Sequence, residues 1–189
     1  DVSNFDTSSV TTMYYMFNNC NNLTQLDVSN FDTSNVTDMY CMFTNCNNLT
    51  QLDVSNFDTS KVIDIQSMFT NCKSLTTLDV SNFNTSNVTN MSGVFRDCNS
   101  LAEIVGLGNW DVTKVSSMNM MFHNLPSLIS LDLSNWTTSS LVDTTNDGED
   151  GGLFSYCSNL QRLDISNFDT SKVTNMKRMF SGCKNLTQL

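Results

Sequence analysis

Residues 26–31 read Leu-Asp-Val-Ser-Asn-Phe, and the same six return unchanged at 52–57 and 78–83. The aromatic that closes the motif falls at Phe5, Phe31, Phe57, Phe83, Trp110, Trp136 and Phe168, at spacings of 26, 26, 26, 27, 26 and 32. A fixed period of this size marks a repeat architecture, in which a unit buries its apolar face only against its neighbours. Residues 1–189 therefore read as one domain of seven copies. One residue is added ahead of Trp110, and an acidic loop is inserted at 143–152.

Each copy divides into two arms. Leu23, Leu26 and Val28 alternate with polar residues, the period of a half-buried strand. Phe31, Val36, Met39, Met42, Phe43 and Cys46 follow at broken spacing. They predict a second arm of tight turns, with a short extended piece at 36–39 and a helical turn at 42–45. All twelve Phe occupy two columns of the aligned copies, and of eleven Met only Met120 lies outside two more. Ladders of like residues stacked at the strand spacing of about 4.8 Å would make the core. The expected fold is a repeat solenoid, with a parallel β-sheet on one face and turns or short helical and extended pieces on the other.

The motif asparagine recurs as Asn4, Asn30, Asn56, Asn82, Asn109, Asn135 and Asn167. Strand parity turns it inward with Leu26 and Val28. A buried amide needs partners, so these residues are expected to form a ladder bonded to turn backbone and to the amides above and below.

A formal charge of −10 with only nine Lys and Arg excludes nucleic acid as a partner, since phosphates need a cationic surface. No run of 18 apolar residues exists, so this segment does not span a membrane as a helix. The chain begins inside the motif, and its tail, Asn-Leu-Thr-Gln-Leu at 185–189, joins its head without a slip. It reads as a segment of a longer array, or as a subunit that stacks end to end through Asp1, Val2, Leu186 and Leu189.

The order Val-Thr-x-Met-x-x-Met-Phe-x-x-Cys-x-x-Leu-x-x-Leu, as at 36–52, runs through the whole chain. It resembles the BspA-like branch of leucine-rich repeats, the 26-residue repeat of bacterial surface proteins. The resemblance implies a solenoid on secreted or cell-surface proteins, adhesion to host or matrix proteins, and no catalytic residues. The chain departs from the pattern at 104–110 and at 143–152.

Cys20, Cys46, Cys72, Cys98, Cys157 and Cys183 share one column, and the fifth copy places Leu125 there. A slot that accepts leucine is apolar, so these are read as buried free thiols rather than disulfides or zinc ligands. Cys41 stands at a variable, outward position and is the one thiol expected to be reactive. Asp1, Asp27, Asp53, Asp79, Asp132 and Asp164 form one outward acidic column, and Asp6, Asp32, Asp58, Asp111 and Asp169 follow the motif aromatic. Stacked like charges repel, so either local hydrogen bonds or cations must relieve them; Asx and Ser/Thr turns favour the hydrogen bonds. The insertion carries Asp143, Thr145, Asp147, Glu149 and Asp150. Its opening mimics half of a calcium loop, but Phe154 stands where the bidentate glutamate belongs. Calcium is the one candidate ion; no other cofactor is expected.

One histidine, no glycine-rich phosphate loop and no Ser/His/Asp pattern out of repeat register leave no activated nucleophile, so no enzyme is expected. The expected role is an extracellular or cell-surface scaffold or adhesin that attaches other proteins, matrix or host surfaces. Its binding residues would be the outward ones that vary between copies: Tyr14, Tyr15, Tyr40, Arg96, His123 and Tyr156. The alternative is a structural subunit of an extracellular filament or stalk.

Overall fold

A computed structural model describes residues 1–145 and 151–189. Its fold is repetitive and mostly non-helical: hydrogen bonds recur between residue i and residues 25 or 26 further on, so each copy lies against the next. The described strands are four short ones: β1 (Thr77–Asp79), β2 (Glu103–Val105), β3 (Ser130–Asp132) and β4 (Arg162–Asp164).

All four strands fall on the Leu-x-x-Leu-Asp-Val arm. β1 and β2 pair in parallel with Leu78 opposite Ile104, and β3 and β4 pair with Leu131 opposite Leu163. Among the described residues no backbone hydrogen bond joins β2 to β3. In place of one continuous sheet on this arm there are two separate pairs. One residue is added between β2 and Trp110, beside this break, and the middle residue of each strand, Ile104 and Leu131, is still its least exposed one. The chain turns at Gly106 with φ 93°, where a Cβ would stand 2.2 Å from the Ser81 backbone, and a 3-10 turn at Leu107–Asn109 follows. Only glycine fits there.

The second arm is the regular one. Single parallel bridges link Thr12, Asp38, Asp64, Asn90, Ser117 and Asp143 in an unbroken column. This is the extended piece expected at 36–39. Beyond it, alternate amides bond to the next copy: Met39 to Asp64, Cys41 to Gln66, Phe43 to Met68 and Asn45 to Thr70, at 2.8–3.0 Å. The intervening amides of Met42, Thr44 and Cys46 bond back to the carbonyl three residues earlier. Because every second N–H is committed to the neighbouring copy, an i→i−4 helix cannot propagate.

The chain turns this way through two left-handed corners per copy. One column is Tyr15, Cys41, Ser67, Gly93, Met120 and Arg178, and the other is Asn19, Asn45, Asn71, Asp97, Asn124, Tyr156 and Gly182, all at φ of 54–80°. Asn, Asp and Gly tolerate this region, whereas Cys, Met and Tyr are held there at a cost.

Inside lie the expected ladders. Phe17, Phe43, Phe69, Phe95, Phe122, Phe154 and Phe180 stack with neighbouring ring centroids 5.6–6.0 Å apart. Such spacing is that of offset stacked rings. Trp110 and Trp136 donate their indole N–H to the carbonyls of Val80 and Leu107, so neither buried nitrogen is orphaned. No helix among the described residues is long and apolar enough to cross a membrane.

Candidate functional site

The six variable residues predicted as a binding surface come together as two groups on the turn arm, but His123 is buried there rather than outward, covered by Ser155 and Tyr156. On the first two copies Tyr14 and Tyr40 stack at 5.1 Å and 16°, with Tyr15 edge-on to both at 4.3 and 5.4 Å. Tyr14 is 52% and Tyr15 40% exposed. The hydrogen bond with Tyr15, and then burial, push the Tyr40 phenol well above its ordinary range. Cys41 lies beneath this cluster and is buried rather than outward. Its left-handed corner turns the side chain in where the strand-like alternation assumed from sequence would turn it out.

The second group spans copies four to six. Arg96 Nε donates to Asp97 Oδ2 at 3.1 Å, and Asn124 Nδ2 donates to Asp97 Oδ1 at 2.7 Å. His123 Nε2 stands 4.0 Å from the same Oδ1, while Nδ1 lies 2.8 Å from Ser155 Oγ. Tyr156 packs its ring edge-on to His123 at 5.4 Å. Asp97, His123 and Ser155 thus form a Ser/His/Asp group, built in register because each comes from a successive copy. It is poorly arranged to make a nucleophile. Ser155 is fully buried and donates its proton to the Gly152 carbonyl at 2.9 Å. The 4.0 Å from Nε2 to the carboxylate is beyond hydrogen-bond length. Gly151 at φ 136° lets the backbone pass, since a Cβ there would meet Ser155 Oγ at 2.2 Å.

The acidic columns are held locally. Asp27, Asp53, Asp79, Asp132 and Asp164 each accept from the amide two residues on, at 2.9–3.0 Å, and Asp6, Asp32, Asp58, Asp111 and Asp169 do the same. The Ser or Thr hydroxyl, and then that amide, hold Asp27, Asp53, Asp58 and Asp111 below the usual carboxylate range. Asp64, in the bridge column, is pushed up instead, chiefly by burial.

Of the tentative calcium ligands, Asp147, Glu149 and Asp150 lie outside the described residues. Asp143 accepts from Ser117 Oγ at 2.9 Å and from the Thr145 amide at 3.2 Å. Among the described residues no three or more His, Cys, Asp or Glu cluster closely enough to hold a metal ion. Of the residues at the two ends, Asp1 and Leu189 are exposed and Val2 and Leu186 half-buried.

All seven cysteines are free. Each thiol of the common column from Cys46 onward donates to the phenylalanine carbonyl of the copy before it, as Cys98 does to Phe69 at 3.0 Å. Burial pushes Cys46, Cys98 and Cys157 up to about 12. The motif asparagines differ from expectation: they lie exposed, not inward. Their Nδ2 atoms reach the preceding copy's carbonyls, Asn56 to Val28 and Phe31 and Asn82 to Val54 and Phe57, all at 3.0–3.1 Å. The turn after Val28 ends the strand parity, so the side chain points along the stack. The amide-to-amide ladder stands elsewhere, running from Asn71 to Asn45 to Asn19 at 2.7–2.8 Å.

A family description matches residues 1–105, 50–150 and 102–189, which together cover the chain: Mycoplasma protein of unknown function, DUF285. The chain belongs to the DUF285 family. No curated protein matches it. Within this DUF285 repeat, sequence reading overlooked the buried threonines. Thr33 Oγ1 donates to the Asp58 carbonyl at 3.1 Å and accepts from the Asp58 amide at 2.7 Å, and Thr7, Thr59 and Thr138 repeat the pair. Their recurrence in Phe-Asp-Thr-Ser was visible, but nothing in it separates a buried hydroxyl from an exposed turn.

Proposed function

We propose that this DUF285 chain is a BspA-like leucine-rich solenoid, non-enzymatic, displayed outside the cell or on its surface, that attaches proteins or matrix. What carries the reading is the division between columns. The inward column of Phe17, Phe43 and their equivalents keeps phenylalanine through all seven copies, while an outer, at least half-exposed position on the turn arm changes from Tyr14 and Tyr40 to Gln66, Ser92 and Lys177. A scaffold that only needed to stack has no use for three mutually packed tyrosines, two of them exposed; tyrosine is enriched in protein interfaces.

Biosensor binding to immobilised matrix proteins tests this. Capture is expected, weakened about tenfold by Tyr14→Ala with Tyr40→Ala, the loss of anchoring aromatics. No capture, or capture indifferent to these changes, sinks the reading. The unbroken bridge column favours a second role as a stiff spacer or filament subunit. Small-angle scattering expects a rod of fixed length for that role; a flexible profile counts against it.

A further inference from the structure

We propose that the slot between β2 and β3 docks an extended, lysine-bearing segment of a partner protein. The inference deepens the attachment reading and rests on it. The two strands face each other with no backbone bond between them, although each is paired on its far side, β2 with β1 and β3 with β4. Unpaired strand edges are templates for another strand. The cavity between them measures about 530 Å³, within the range of roughly 300–1,000 Å³ usual for ligand sites.

Its chemistry selects the occupant. Leu107, Leu128 and Leu131 are buried at its floor, and Ile104 is half-exposed beside them. Glu103 and Asp132 are exposed on opposite strands, and no lysine or arginine lines the slot. In an extended chain side chains alternate. One residue of the segment would meet the leucines while the next carries its cation between the two carboxylates.

Two comparisons single out this slot. A smaller groove of about 460 Å³, at Asp27 and Asp53, has Leu26 as its one apolar lining residue. The larger cavity of about 630 Å³ lies over the paired strands β3 and β4 and carries Arg162. The turn arm keeps copies five and six together, with Met118 N to Asp143 O at 2.9 Å and Phe122 N to Leu153 O at 3.0 Å. The segment therefore lies along the slot and bonds to its edges without parting the copies.

The probe is an alternating Lys-Val oligopeptide of about eight residues, blocked at both ends, followed by fluorescence anisotropy at physiological ionic strength. Controls are its Glu-Val counterpart and a form N-methylated at alternate residues. Wild type is expected to bind only the unmodified Lys-Val peptide. Glu103→Lys with Asp132→Lys is expected to weaken binding about tenfold, and Asp27→Lys with Asp53→Lys by less than about twofold. Amide shifts confined to Glu103–Val105 and Ser130–Asp132 give a readout that needs no variant. Equal loss in both charge variants, undiminished binding of the N-methylated peptide, or shifts elsewhere overturn the proposal. No peptide binding with matrix capture intact overturns the slot alone. Peptide binding without matrix capture upholds the slot and sinks the attachment reading.

Discussion

The two arms of each copy look equally regular in sequence and are held by different means. The turn arm joins copy to copy through its own backbone, at Met39, Cys41, Phe43 and Asn45 and their equivalents. The strand arm does so at β1–β2 and β3–β4, while copies two and three share there only the Thr50 to Thr24 bond at 3.5 Å. Side chains substitute where backbone pairing lapses: Asn56 and Asn82 reach back to carbonyls of the preceding copy. Alternating hydrophobicity sets which face of a segment is buried. It does not by itself close a ladder, which needs matched register as well.

Four perturbations, in falling order of size, would sharpen or break this contrast. Phe69 is fully buried in the turn arm between Phe43 and Phe95, so Phe69→Ala is expected to cost about 3–5 kcal/mol in urea unfolding. Leu26→Ala, at a half-buried strand-arm site, should cost well under half as much. A reversed order would show that the strand arm carries the stack. Thr59→Val removes both bonds to Asn84 and strands a backbone amide, at about 1–3 kcal/mol. The fifth copy holds Val112 in that column, so Val112→Thr is expected to stabilise by about 1 kcal/mol, read as a rise in denaturation midpoint.

The thiols supply a pH test. Unfolded cysteines ionise above about pH 8.5, whereas folded Cys46, Cys98 and Cys157 are pushed up to about 12 by burial. Their raised folded values contribute stability that is complete below pH ~8.5 and lost as pH rises toward about 12. Under reducing conditions the urea midpoint should fall between pH 8 and 10, and a Cys46→Ala, Cys98→Ala, Cys157→Ala protein should lose much of that slope. The smallest effect is at the corners. Ser67→Gly, at φ 55° in the column that holds Gly93, is expected to shift stability by under about 1 kcal/mol, toward gain.

The phenylalanine, methionine and cysteine columns were legible because like residues at a fixed period can only stack. Leu125 among the cysteines marked the slot as apolar, and the structure buries it there. The asparagine side was misread because strand parity was carried past Val28, where the chain has already turned. Cys41 was misread because nothing in its residue type announces a left-handed corner. The Asp97–His123–Ser155 group was hidden by the same periodicity that revealed the fold: its members lie 26 and 32 residues apart, as any stacked neighbours here do. The β2–β3 slot left one trace, the extra residue before Trp110.

Native-state amide hydrogen exchange tests most directly whether the turn arm holds the copies together. The amides of Met39, Cys41, Phe43 and Asn45, with Phe69, Asn71, Phe95 and Asp97, are expected to be the slowest in the chain, and those at 26–28 and 52–54 to exchange orders of magnitude faster. Equal or greater protection at 26–28 and 52–54 would contradict the account.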